Sequence, residues 1–336
     1  MANWVFDLNL PKYVAMATIG TDIQKAANEL KRGNLVGIPT ETVYGLAGNV
    51  FDTEAVTRIF EVKNRPSFDP LIVHLSSAEH LGRIVTEIPE TAKILAAHFW
   101  PGPLTLVLPR KDVVPDLVTS GLPTVAVRVP DHPVTRELLD CLPFPLACPS
   151  ANPFGYVSPT TASHVSDQLG SLIDYILDGG PCRVGIESTI LGFEDKLPVI
   201  YRPGGISIEE IEKVVGRTLV KSSFSKPLAP GMFKSHYAPA KSLMIGNINE
   251  LITRYGTKQS GILSFKDHFD QVADEYQIRL SPEGNLAQAA QNLFASLRKL
   301  DAMDIRYIFT ELVPDYGLGV AINNRLRRAA SKLIET

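Results

Sequence analysis

Residues 35–74 read LVGIPTETVYGLAGNVFDTEAVTRIFEVKNRPSFDPLIVH. Two short apolar runs, 35–38 and 70–75, have the length and composition of strands, and they bracket a helical run at 53–62. The joints hold polar groups that a core does not need. Thr40, Glu41, Thr42 and Tyr44 follow the first strand, Lys63 and Arg65 follow the helix, and His74 sits in the second strand. In an α/β unit, polar groups at strand ends are where ligands bind. Lys63 and Arg65 also suit the negative end of the helix dipole, which is a purely structural reading of the pair. Pro66 ends the helix and stiffens the loop, so the same two cations read equally well as a phosphate clamp.

Outside this stretch the composition sets limits. At 336 residues the chain has room for two domains or one large one, and 45% hydrophobic with 21% charged residues fits a globular protein. A net charge of -3 speaks against a general nucleic-acid binder, although a local basic groove is compatible with it. The three cysteines, Cys141, Cys148 and Cys182, form no C-x-x-C pair, which fits a reducing, cytoplasmic setting and no structural zinc. Trp4 and Phe6 are not part of a basic-then-apolar leader, so no signal peptide is expected, and no window reaches the ~20 apolar residues of a membrane span.

In chain order, residues 1–20 read as a lead-in with an edge strand. A helix capped by Thr21 or Asp22 follows and ends near Gly33. A helical pair spans 78–99 with a break at Pro89, and strands are expected at 103–109 and 124–129. In the latter, Thr124, Ala126 and Arg128 share one face and three valines share the other. Arg128 in that apolar strand needs a partner, either a structural ion pair or a ligand. A helix at 132–142 and a strand at 144–148 lead into Pro149-Ser150-Ala151-Asn152-Pro153, a rigid turn displaying small hydrogen-bonding groups. Ser158 opens another helix. Strands are expected at 175–177, 185–190 and 199–205, and Ser207 with Glu210 forms a capping box for a helix at 208–215. The cations Lys63, Arg65, Arg128 and Arg202 thus come from four separate joints. If they converge, they form a basic pocket suited to a nucleoside triphosphate or another anion. Neither a P-loop nor a G-x-G-x-x-G turn is present.

Seven motifs in order carry a resemblance: PTETVYGL at 39–46, KNR at 63–65, PLIVH at 70–74, VAVRVP at 125–130, PSAN at 149–152, EST at 187–189 and RPG at 202–204. Together they resemble the YrdC-like family, and PGMFKSHYAP at 230–239 resembles the signature of its long, two-domain form, the L-threonylcarbamoyladenylate synthases. The resemblance implies an open, twisted, mixed α/β sheet with a basic concave face. It implies condensation of L-threonine, bicarbonate or carbon dioxide, and ATP to threonylcarbamoyl-AMP and pyrophosphate, with Mg2+ accompanying the ATP. A partner enzyme then transfers the threonylcarbamoyl group to the adenosine beside the tRNA anticodon. By the same resemblance Thr42, His74, Arg128, Cys148 and Ser188 bind threonine, with Cys148 acting through its main chain. Lys63, Arg65, Asp69, Thr124, Ser150, Asn152, Ser158, Arg202 and Tyr237 serve ATP; Asp69 would have to act through its backbone or the metal, since a carboxylate repels phosphate. The sequence supplies no general base.

The expected domains are 1–216, a linker at 217–240 and a smaller unit at 241–336. Residues 221–240 carry three prolines and three lysines without an acid, so they read either as a tether or as a lid in which Tyr237 closes over ATP. Strands at 242–245, 261–265, 276–280 and 305–312 alternate with helices at 248–255, 286–302 and 319–334, which suggests a Rossmann-like parallel α/β domain. Arg325, Arg327 and Arg328 on the last helix read as a solvated face, with a weak RNA or partner contact as the alternative. A different class of function, an RNA-binding translation module using the same basic groove, is separated from the enzyme by threonine-dependent pyrophosphate release. A carbamoyl-transfer role in hydrogenase maturation is disfavoured, because no zinc-finger or acylphosphatase-like segment accompanies the motifs.

Overall fold

A computed structural model describes residues 16–195, 197–221 and 236–333. The part of the expected linker at 222–235 lies outside the described residues. The first domain runs β1 (Thr18–Gly20), α1 (Ile23–Lys31), β2 (Val36–Ile38), β3 (Gly45–Asn49), α2 (Thr53–Lys63), β4 (Ile72–His74), a 3-10 turn (Ala78–Arg83), α3 (Glu90–Phe99), β5 (Leu104–Pro109) and α4 (Asp116–Thr119). It continues through β6 (Thr124–Arg128), α5 (Pro133–Asp140), β7 (Leu146–Ala147), α6 (Ala162–Leu169), β8 (Tyr175–Leu177), β9 (Thr189–Glu194), β10 (Leu197–Arg202), α7 (Ile208–Val215) and β11 (Leu219–Val220). Its eleven strands form one mixed sheet in the order β1-β8-β2-β3-β7-β4-β6-β5-β9-β10-β11. Because β11 pairs with β10, this sheet extends past the expected boundary at 216.

The opening stretch is not a simple parallel β-α-β unit. Residues 45–49 form a strand that the sequence reading missed, and β2 and β3 make an antiparallel hairpin. β7 then pairs antiparallel with both β3 and β4, so β4 runs opposite to β2. Gly-Leu-Ala-Gly-Asn has no β-branched residue; its strand comes from pairing on both sides rather than propensity. Two further boundaries moved. The strand expected at 185–190 begins only at Thr189, and the last helix stops at Ala329, before a short final strand.

Strand alternation creates two different faces. Val125, Val127 and Val129 enter the main core with α2 and α3 residues such as Val56, Ile59 and Leu95. Ala126 joins a smaller apolar patch with Ile72, Val107, Ile190, Val199 and Tyr201 on the other face. Parallel register aligns Ile72 with Ala126 and His74 with Arg128, so the two polar side chains are neighbours at the end of that second face.

The second domain contains β12 (Ser242–Ile245), α8 (Ile248–Tyr255), β13 (Ser260–Ser264), β14 (Gln277–Arg279), α9 (Leu286–Asp301), β15 (Tyr307–Thr310), α10 (Leu318–Ala329) and β16 (Lys332–Leu333). Its sheet order is β14-β13-β15-β12-β16, and every pairing is parallel, as the alternating pattern implied. The two domains share a core: Val43, Val157 and Ile186 of the first cluster with Leu293, Phe294 and Leu297 of the second. Arg325 corrects the solvated-face reading of α10. It is fully buried and reaches Glu187 of the first domain; Arg327 is exposed and Arg328 partly so. Three arginines close in sequence looked alike, but helical geometry buries Arg325 against the first domain, leaves Arg328 half-buried near Glu187 and Tyr237, and turns Arg327 to solvent.

Gly185 lies where α9 meets the first domain. Its φ is +78, a left-handed conformation that strains any residue with a side chain, and an added Cβ would fall 2.4 Å from the Gln291 backbone. Gly185→Ala is therefore expected to loosen the domain contact and lower stability by at least about 1 kcal/mol, read from thermal melts. An unchanged melting temperature would contradict this packing account.

Candidate active site

The site begins with the buried loop between β2 and β3. Thr40 Oγ1 accepts the backbone N–H groups of Thr42 and Val43 and so folds the loop back on itself. Tyr44 donates its hydroxyl to the Gly180 carbonyl, tying the loop to the segment after β8. An added Cβ at Gly45 would lie 2.2 Å from Cys148 Sγ, so glycine is what lets the thiol sit there. The loop thereby faces the ends of β4, β6 and β10 across a partly open cavity.

Arg128 anchors one end of the cavity. Its Nε donates to the Gly102 carbonyl (3.2 Å), Nη1 donates to Thr42 Oγ1 (2.9 Å), and Nη2 lies 2.6 Å from Glu41 Oε1. Glu41 is completely buried, so Arg128 has the structural partner that its apolar strand required. Nε and Nη1 each make one hydrogen bond and Nη2 faces Glu41, so the guanidinium keeps N–H donors for a ligand carboxylate. His74 lies beside it, with its ring nitrogen Nδ1 buried and unpartnered among the described residues. Burial, reinforced by the Arg128 charge, pushes the imidazole down to about 3, so it is neutral at physiological pH.

The other end is built on arginines from distant segments. Asn64, in the left-handed region, terminates α2 and turns Arg65 inward. Arg65 pairs with Asp69 at 2.7 Å and donates to the Asp69 and Pro70 carbonyls. Burial raises the Asp69 carboxyl, against the pull of Arg65 and Lys63. Arg202, at the end of β10, donates to the Ser188 carbonyl and hydroxyl, and Ser188 Oγ also lies 2.7 Å from Thr105 Oγ1. His236 and Tyr237 cover this end. Tyr237 stacks on Phe294 of α9, and its hydroxyl has no partner among the described residues. Burial and the surrounding cations hold the His236 imidazole well below its ordinary range.

Of the residues named from sequence, Thr42, Arg65, His74, Arg128, Cys148, Ser150, Ser188, Arg202 and Tyr237 line this one cavity. Burial pushes the Cys148 thiol up to about 12, which leaves it a protonated wall group. Lys63, Asp69, Asn152 and Ser158 form the layer behind. Lys63 donates to the Ser150 and Asn152 carbonyls at 2.5 Å each, thereby holding the PSAN turn, and burial lowers its pKa strongly. Asn152 donates to the Tyr156 carbonyl, and Ser158 donates to Glu187. Thr124 is not brought to the cavity: it starts β6, about 13 Å of strand away from Arg128. Three contributors were missed. Glu41 and Glu187 stand inside quoted motifs, where an acid beside prospective cation partners was the available signal. Arg325 is a long-range contact with no local signature.

Fold and cavity together define a class: a mixed-sheet α/β protein whose second face gathers buried arginines, closed by a Rossmann-like domain. The family model described as "Telomere recombination" (Sua5, YciO and YrdC) matches residues 28–204, and that described as "Threonylcarbamoyl-AMP synthase, C-terminal domain" matches residues 206–331. The chain belongs to the Sua5/YciO/YrdC family, in its long two-domain form. It is 43% identical over 324 residues to the threonylcarbamoyl-AMP synthase of Pyrococcus abyssi, covering 92% of this chain and 94% of that one. It is 42% identical over 327 residues to that of Bacillus subtilis, with 94% of each covered. The solved structure of P. abyssi Sua5 complexed with L-threonine superposes with a TM-score of 0.88 at 40% identity, covering 96% of this chain and 99% of that one.

Two outcomes follow from the site. Arg128→Lys keeps the charge but loses the planar fork, so threonine affinity is expected to fall by about 1.5–3 kcal/mol while ATP affinity is retained; calorimetric titration of each ligand decides, and equal loss of both would contradict the assignment. The second concerns pH. His74, and His164 at about 4, stay neutral in the folded protein but bind protons below about 6.5 when unfolded. The unfolded state therefore binds more protons below pH 6.5, and stability should fall as pH drops from 6.5 toward 4. Melting temperatures that stay flat across that window would contradict the burial assigned to these rings.

Proposed function

We propose that this protein is an L-threonylcarbamoyladenylate synthase that joins L-threonine, carbon dioxide or bicarbonate, and ATP within the cavity described above. The observation that carries the reading is the adjacency of His74 and Arg128 on one sheet face, with Arg65 and Arg202 bounding the same cavity. One end suits an α-amino acid and the other suits phosphates. Arg128 takes the threonine carboxylate with its remaining N–H donors. The neutral His74 ring can accept from the amine, where an imidazolium would repel it. Ser188 offers a hydroxyl to the same substrate.

The threonine amine attacks the carbon of carbon dioxide and loses a proton, giving a carbamate. A carbamate oxygen attacks the α-phosphorus, the bond to the β-phosphate oxygen breaks, and pyrophosphate leaves. No covalent enzyme intermediate is required; positioning and charge stabilisation by Arg65, Arg202 and the Lys63-supported turn serve the transfer. Magnesium enters as part of MgATP. Asp69, Glu41 and Glu187 each face an arginine, a donor set that fits an ion carried on phosphates better than one held by protein carboxylates. Tyr237 and His236 shield the carbamate from water. The threonylcarbamoyl-AMP is then consumed by a tRNA-modifying partner, in the cytoplasm. Among the described residues no helix is long and apolar enough to cross a membrane.

Pyrophosphate release should require threonine, bicarbonate and MgATP together, with a product of threonylcarbamoyl-AMP mass. Release that ignores threonine, or RNA binding with no release, would favour the RNA-binding reading instead. Cutting the chain after Gly216 is expected to reduce product formation strongly, since Tyr237 and the second domain are lost; full activity in that truncation would show that they only join domains.

A further inference from the structure

Arg325 is the largest fully buried side chain among the described residues, and it belongs to the domain for which the sequence suggested no chemistry. Its Nε lies 2.9 Å from Glu187 Oε2, Nη1 donates to the Pro203 carbonyl, and its guanidinium carbon lies 5.3 Å from the centre of the Tyr237 ring. Nη2 is buried with no hydrogen-bond partner among the described residues. Glu187 and Tyr237 both line the cavity, and Pro203 directly follows Arg202, which also lines it. One side chain from α10 therefore supports three pieces of the wall at the arginine-rich end.

Glu187 is the difficulty at that end. A bare carboxylate next to Arg202 would repel a triphosphate and cancel the charge that binds it. Ser158 donates to its Oε1, and Arg325 compensates its charge from behind. Arg325 also presents its cation to the face of Tyr237, which favours one ring position. A buried ion pair is a poor source of stability compared with apolar packing, so mere attachment of the domains does not require this arrangement.

We infer that Arg325 is a positioning residue of the nucleotide subsite, through which the C-terminal domain neutralises Glu187 and fixes Tyr237 so that ATP phosphates can bind. This rests on the functional reading above. It acts through Glu187 and Tyr237 and does not itself line the cavity.

The test uses the full chain as wild type, Arg325→Met, Arg325→Lys and the double variant Arg325→Met/Glu187→Gln. Calorimetry measures the magnesium complex of a non-hydrolysable ATP analogue and L-threonine separately, and thermal melts report folding. Arg325→Met should weaken the analogue about tenfold while threonine affinity stays within about threefold. Arg325→Lys should be intermediate, and the double variant should bind the analogue more tightly than Arg325→Met because the uncompensated carboxylate is gone. The inference is overturned if folded Arg325→Met binds the analogue like wild type, if both ligands weaken in parallel, or if the double variant shows no recovery. Should Arg325→Met not fold, Arg325→Lys and the double variant decide it: analogue-selective weakening by Arg325→Lys supports the inference, and wild-type affinity in both overturns it. Wild-type protein that binds neither ligand would overturn the functional reading and this inference together; wild type that binds both, with indifferent variants, would overturn this inference alone.

Discussion

A buried guanidinium needs a counter-charge, and three pairs among the described residues around this cavity show how that need is met. Arg128 faces Glu41, Arg65 faces Asp69, and Arg325 faces Glu187. Desolvating an unpaired charge is costly enough that these pairs must form together with the fold. Two of them join segments far apart in sequence, so closing the pairs also positions the β2–β3 loop and docks the second domain. Arg65 and Arg128 remain on the cavity wall after pairing, with donors available to an anion.

The remaining polar groups support that frame. Lys63 holds the PSAN turn by two carbonyls, and Arg298 of α9 donates to the Val157 and Ser158 carbonyls just beyond it. Ser158 in turn donates to Glu187. The second domain is thus connected to the site by a continuous hydrogen-bonded path as well as by shared apolar packing. Such a wall leaves its binding groups little freedom, which favours positioning catalysis over acid–base chemistry by a strong dyad.

Much of this was legible from residues. The parallel C-terminal sheet followed from regular alternation of apolar runs, and β12 and α8 match their expected ranges. The one-face relation of Arg128 and Ala126 followed from strand period alone. The β3 strand was not legible, because its small residues gain their conformation only from pairing on both sides. Lys63 looked like a phosphate ligand from its motif, yet its amine is directed at main-chain carbonyls, a contact set by a turn some ninety residues away. Arg325 was illegible for the same reason: its role depends on a partner domain that local pattern does not reveal. Short motifs therefore located the cavity well and assigned its inner and outer layers less well.

The most direct measurement is a crystal structure of the full chain with L-threonine, magnesium and a non-hydrolysable ATP analogue. The account places the threonine carboxylate on Arg128 beside a neutral His74, with phosphates against Arg65 and Arg202 and the Tyr237 ring over them. Nucleotide bound elsewhere, or phosphates at the Arg128 end, would contradict it.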